Sequence, residues 1–198
     1  MNTNIIISGV GGQGILTIAA VLDTAALNEN LFVKQSEVHG MSQRGGAVES
    51  HVRISDQEVY SDLIPQGKAN LILSVEPMEL LRHIPYLKSD GWLLTDSNPF
   101  MNIVNYPERH ELYKQIKLYP HHIIINATEE AKKLGNSKVA NMVLLGAAST
   151  LLPLSEESLK TAIKDLFLRK SEKVVNLNLE AFEIGKKLAQ NFSEFVYS

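Results

Sequence analysis

The 198-residue sequence contains no cysteine. That absence removes a disulfide framework, a cysteine nucleophile and protein-held iron–sulfur clusters from what this chain can supply itself, and it fits a reducing compartment. Long apolar runs are also missing. The longest, Met142 to Leu152, is about 11 residues and contains Ser149 and Thr150, whereas a membrane-spanning helix needs roughly 20. The N-terminus passes straight into a strand pattern, with no basic region followed by a cleavage site. A cytoplasmic chain with no membrane partner is therefore expected. Neither sign of charge dominates: 19 Lys and Arg against 22 Asp and Glu leave −3, which argues against nucleic acid as a partner. The six histidines show neither H-E-x-x-H nor H-x-H spacing with acids, so no metal site is expected. No Ser–His–acid set stands out, and spacing alone assigns no catalytic residue.

What is present reads as one α/β domain over residues 1–198. Hydrophobic content of 44% with 21% charged residues suits a globular core. Asn4–Ser8 reads as a buried strand, and Ile15, Ile18, Ala19, Leu22 and Ala26 then recur at helical spacing. Leu31–Gln35 reads as a second strand. Between Ala47 and Ile54 residues alternate as in a half-exposed strand, which a turn at Asp56 would pair with Glu58–Tyr60 as a hairpin. Further strands are expected at 70–75, 91–96 and 122–126. Pro77 suits the first turn of a helix after Glu76. Thr128, followed by Glu129 and Glu130, reads as a helix N-cap. Helices are expected at 137–152, from Ser155, and at about 178–195. Glu76 and Asp96 each end a predicted strand, where they read as cap and turn residues. Strand–helix alternation implies a Rossmann-like three-layer fold with a mainly parallel, mixed sheet and C-terminal helices.

Two loops carry chemistry. Gly9, Gly11, Gly12, Gln13 and Gly14 lie between the first strand and its helix. Glycines at 9, 11 and 14 satisfy the G-x-G-x-x-G spacing, which lets backbone N–H groups and a helix N-terminus face a phosphate. The alternative is a tight strand–helix turn with no ligand. Residues 36–46 pack Glu37, His39, Ser42, Gln43, Arg44, Gly45 and Gly46 into eleven positions. Arg44, followed by Gly45 and Gly46, can present a planar fork to a carboxylate or phosphate, and His39 can titrate near neutrality. This loop reads as an active-site border, a subunit contact, or both. The two loops should share one sheet edge, since both follow parallel strands. Asn141 opens an apolar helical run, either to brace the glycine loop or to meet a ligand or partner.

GVGGQGI at 9–15, SEVHGMSQRGG at 36–46, YSDLIP at 60–65 and KVANMVLLG at 138–146 together resemble the gamma-type domain of 2-oxoacid:ferredoxin oxidoreductases, and within it the small beta subunits of indolepyruvate enzymes. The resemblance implies a single pyruvate/ketoisovalerate ferredoxin oxidoreductase gamma-type domain. It implies oxidative decarboxylation of a 2-oxoacid, such as an aryl-pyruvate, to an acyl-CoA with ferredoxin as acceptor. It implies a large partner subunit carrying thiamine diphosphate, Mg2+ and iron–sulfur clusters, with no cofactor bound by this chain alone and no activity without the partner. The glycine loop would then border the coenzyme A side of the complex. Two other readings stand beside it: a free-standing NAD(P)-dependent Rossmann oxidoreductase, in which Glu37 would hold a ribose, and a nucleotide-binding module.

Overall fold

Ile5, Ile6 and Ile7 are all fully buried, so the first strand is covered on both faces and must lie inside the sheet. The structure, a computed structural model, describes residues 1–39, 45–101 and 103–196. The strands are β1 (Asn2–Val10), β2 (Phe32–His39), β3 (Ala47–Ser55), β4 (Ala69–Ser74), β5 (Leu87–Asp96) and β6 (His122–Ile125). They form one six-stranded sheet in the order β2-β3-β1-β4-β5-β6. β1, β4, β5 and β6 are parallel, while β3 is antiparallel to both β1 and β2. β2 therefore runs in the sense of β1, and the carboxyl ends of all strands but β3 point to one edge.

Helices cover both faces, as the strand–helix alternation predicts. They are α1 (Ile15–Asn28), α2 (Pro77–Arg82), α3 (Arg109–Ile116), α4 (Ala127–Lys133), α5 (Ala140–Ala148), α6 (Glu156–Phe167) and α7 (Glu172–Val196). One core joins Ile5 and Ile7 to α1, α4, α5, α6 and α7. A smaller one sets Ile6, Ile72 and Leu93 against Leu80 of α2 and Ile116 of α3. Among the described residues no helix is long and apolar enough to cross a membrane.

Three local expectations are corrected. β3 does not pair with residues 58–60. Both of its edges are taken, by β1 and β2, and it forms a hairpin with β2 in the register Phe32↔Ser55 to His39↔Val48. The 58–65 segment is instead fastened to β3 by side chains: Arg53 Nη1 donates to the Ser61 carbonyl at 2.8 Å, and the Ile64 N–H donates to His51 Nδ1 at 3.0 Å. β2 runs on to His39, so Glu37 stands on a strand. Thr128 does not cap α4. Asn126 does, accepting from the Glu129 N–H at 3.3 Å, because the Thr128 N–H is drawn to Asp96 Oδ2 at 3.1 Å.

Candidate functional site

The carboxyl edge of β1 and the turn end of the β2–β3 hairpin meet, because Val10 pairs with Ala47 at the end of the ladder. There the Gly11 N–H donates to the Gly46 carbonyl at 2.9 Å. The glycine loop and the 36–46 segment thus share one sheet edge and touch, as expected. Ser42, Gln43 and Arg44 lie outside the described residues, as does the side chain of His39.

Packing explains much of the glycine loop. A Cβ on Gly9 would overlap the Val75 side chain, and one on Gly14 would overlap the Asn141 amide. Gly14 also holds φ at +80°, in the left-handed region that favours glycine, at the start of α1. Gln13 folds back so that its Oε1 accepts from the Val10 N–H at 2.7 Å, and its own N–H donates to the Val10 carbonyl at 3.2 Å. The N–H groups of Val10 and Gln13 are therefore used inside the loop, and that of Gly11 is used by Gly46. Gly12 differs: nothing lies within 4 Å of where a Cβ would stand. Asn141, buried at the start of α5, donates from Nδ2 to the Gly14 carbonyl at 3.2 Å. It braces the turn from which α1 departs.

Glu37 is not where a dinucleotide needs an acid. In that fold the ribose-binding acid ends the strand beside β1 on the glycine-loop edge. Here β3 occupies that place, and β2 lies two strands from β1, roughly 10 Å at ~4.8 Å per strand. The Glu37 carboxylate instead accepts from Gln35 Nε2 at 2.7 Å, and Gln35 also reaches Ser50 Oγ at 3.1 Å. Across from it on α1, Asp23 is pushed up to about 6, first by burial and then by the Glu37 charge.

Spacing did not reveal a second polar group, on the α2 face. His83, buried, bonds the Glu79 carbonyl through Nδ1 at 2.8 Å and the Glu49 carboxylate through Nε2. The Glu79 carbonyl can only accept, so Nδ1 carries the hydrogen in that bond. His51 Nε2 approaches the other Glu49 oxygen at 3.8 Å. Its Nδ1 is already an acceptor, so Nε2 carries the hydrogen. Burial lowers the His51 pKa, and Glu49 opposes that shift. Glu79 is buried with Oε2 unpartnered among the described residues, and burial raises its pKa. This group ties β3, near the turn end of the β2–β3 hairpin, to α2. Its members are far apart in sequence, which is why spacing was silent.

Glu76 and Asp96 end their strands as cap and turn residues, as read from sequence. Glu76 Oε2 accepts from the Glu79 N–H at 2.8 Å, and Oε1 takes the Tyr106 hydroxyl. Burial and then that bond raise the Tyr106 pKa well above its usual value. Burial also raises the Asp96 pKa, against the hydrogen bonds from Thr128 and Asn98. Among the described residues no three His, Asp or Glu side chains converge as a metal site.

The chain matches the family described as pyruvate ferredoxin/flavodoxin oxidoreductase over residues 4–188. It is 41% identical over 197 residues to indolepyruvate oxidoreductase subunit IorB of Thermococcus kodakarensis, covering 94% of this chain and 96% of that one. Among solved structures it is similar to a keto/oxoacid ferredoxin oxidoreductase gamma subunit from Geobacter sulfurreducens. There the TM-score is 0.71 at 28% identity, covering 96% of this chain and 99% of the other. It is also similar to a 2-oxoglutarate:ferredoxin oxidoreductase from Magnetococcus marinus, with 2-oxoglutarate, coenzyme A and succinyl-CoA bound. That likeness has a TM-score of 0.77 at 25% identity and covers 96% of this chain but only 31% of the longer one.

Proposed function

The chain belongs to the pyruvate ferredoxin/flavodoxin oxidoreductase family and is a subunit of a 2-oxoacid:ferredoxin oxidoreductase, and from that premise we propose that its complex acts on an aryl-pyruvate, indolepyruvate first among them. The observation that carries the substrate is the 41% identity to an indolepyruvate oxidoreductase subunit over nearly the whole of both chains. Identity to subunits of 2-oxoglutarate enzymes is lower, 31% to 2-oxoglutarate synthase subunit KorC of Methanothermobacter marburgensis and 25% to the Magnetococcus marinus enzyme. The reaction is oxidative decarboxylation of the 2-oxoacid to an acyl-CoA, with electrons passing to ferredoxin, in the cytoplasm.

The residues of this chain do not fit the redox groups. It has no cysteine to bind an iron–sulfur cluster. The clusters are therefore assigned to a larger partner subunit, the family reading puts thiamine diphosphate and Mg2+ there with them, and on this reading the chain alone is inactive. Its own part is positional. The edge built from Gly9, Gly11, Gly12, Gln13 and Gly14 faces the coenzyme A side, with the open ground at Gly12 and the start of α1 turned to a phosphate. Glu37, His39, Ser42, Gln43, Arg44, Gly45 and Gly46 border the active site at the subunit contact, and Asn141 holds the glycine loop in shape. The NAD(P) reading loses its ribose acid to the intervening β3.

Anaerobic co-expression with the larger subunit tests this reading. Turnover would be measured with indolepyruvate, pyruvate, 2-oxoisovalerate and 2-oxoglutarate. Indolepyruvate should give the highest kcat/KM, by about tenfold or more, a step of ~1.4 kcal/mol in transition-state binding. Equal or faster use of 2-oxoglutarate overturns the substrate, and turnover by this chain alone overturns the division of labour.

A further inference from the structure

Among the described residues, exposed large apolar side chains are scattered singly or in pairs except after β5. There Phe100, Met101, Ile103 and Val104 are 44%, 72%, 46% and 102% exposed within five positions. Single exposed apolar residues are ordinary, but a contiguous group marks a contact surface. The loop that carries them is not a loose one. The Phe100 N–H donates to Glu76 Oε1 at 3.4 Å, and the Tyr106 hydroxyl donates to the same oxygen. The Asn98 N–H donates to Asp96 Oδ1 at 3.1 Å, and the Tyr113 hydroxyl holds the Ser97 carbonyl. Two buried carboxylates, at the ends of β4 and β5, thus fix the base of a loop whose tip is apolar and exposed. Burying a carboxylate is costly unless it is well bonded. The two carboxylates hold both ends of the loop in place, which lowers the ordering cost of docking.

We propose that Phe100, Met101, Ile103 and Val104 seat the larger subunit of the same enzyme. This rests on the function proposed above. The kind of occupant follows from two observations. First, from Ser97 to Pro107 the sequence SNPFMNIVNYP carries no charged residue. An electron-carrier protein or any other partner steered by charge finds nothing to read here. Second, in the Magnetococcus marinus enzyme the region like this chain is 31% of one longer polypeptide. Its neighbour there is covalently continuous with it. A permanent neighbour is the kind that buries apolar surface resembling a domain core. In the Thermococcus kodakarensis relative the like region is a subunit matched over 96% of its own length, and a contact between separate subunits must be held by side chains. The loop leaves the carboxyl edge of β5, on the edge where β1 meets the glycine loop, with β4 between them. A subunit seated on it lies over that edge.

The experiment is a binding titration between separately purified subunits. It uses wild type, Met101→Asp with Val104→Asp, the milder Met101→Ser with Val104→Ser, and Leu168→Asp as an exposed apolar control on a different surface. The aspartate pair should weaken association about 100-fold or more and the serine pair less, as for central interface anchors. The control should bind as wild type, and melting of each lone chain should stay within about 2 °C of wild type, because side chains this exposed stabilise the monomer little. Wild-type affinity in the aspartate pair overturns the proposal. So does a wild-type lone chain that self-associates through this loop and separates on the same substitutions, since the occupant is then a second copy. If the wild-type subunits do not associate at all, the proposed function fails, and this assignment with it.

Discussion

Asp23 faces β2 from α1 with one carboxylate oxygen unpartnered among the described residues. Burial, and next the charge of Glu37, hold its pKa at about 6 against 3.8 for a free side chain. A carboxyl group whose folded pKa is raised contributes stability while protonated and loses it as pH climbs from about 4 to about 6. Above that window the native state holds a poorly solvated charge beside a like charge. At ~1.4 kcal/mol per pK unit the ceiling is near 3 kcal/mol, and partial exposure with solvent screening cuts it to about 1 kcal/mol. Asp23→Asn should therefore stabilise the chain by about 1 kcal/mol at pH 7.5, a rise of roughly 2–4 °C in Tm for a chain of this size, and by little at pH 4. Urea melts at the two pH values measure it. An equal gain at both, or none at either, would count against this account. Because Glu37 stands on β2 within the 36–46 segment, the charge on Asp23 acts directly on a residue of the candidate border.

At the level of elements, α5 and α7 cross with backbone against backbone. A Cβ on Gly146 would overlap the Phe182 carbonyl, and one on Gly185 would overlap the Val143 carbonyl. Neither obstacle is a side chain that can swing away, so the helices must separate to admit a methyl group. Either Gly146→Ala or Gly185→Ala should cost about 2–3 kcal/mol, as overpacking does, despite alanine's better helix propensity. A Tm unchanged or raised in both variants, by calorimetry, would refute the close crossing. The sequence displays these glycines inside two apolar stripes, yet nothing local says that they face each other. The same limit explains what was and was not legible. The stripes Ile15–Ile18–Leu22 and Leu159–Ile163 reveal α1 and α6 because one buried face repeats at helical spacing. α3 went unread because only Leu112 and Ile116 of its residues are buried, too few to set a period. β2 and β3 were recognisable as strands, but not as partners. Alternation gives a strand its faces and says nothing of its neighbour. For that reason the meeting of the two loops could be anticipated from strand direction, whereas the displacement of Glu37 by β3, and the Glu49–His83 tie to α2, could not.

For the whole molecule, the separation of stability from activity follows from where the two are built. The cores lie between the sheet and its helices, while among the described border residues Glu37 stands near the end of the β2–β3 ladder and Gly46 lies just beyond its last pair, at one sheet edge. Arg44 lies outside the described residues, flanked in sequence by Gln43 and Gly45. An arginine of that setting adds about 0–1 kcal/mol to a lone chain through exposed pairing. Truncating one that becomes charge-paired and buried on association costs roughly 2–5 kcal/mol of binding. Arg44→Ala should thus leave the Tm of the isolated subunit within about 2 °C of wild type. In the reconstituted complex it should lower turnover by about tenfold or more, through weaker association, a poorer active-site border, or both. Titrating the partner to saturation separates these two causes. Turnover restored at saturation makes Arg44 an interface residue, and turnover still low makes it part of the border. Wild-type turnover with wild-type affinity would remove Arg44 from the candidate site. A large fall in the Tm of the lone chain would instead make it a residue that only ties its own segment together.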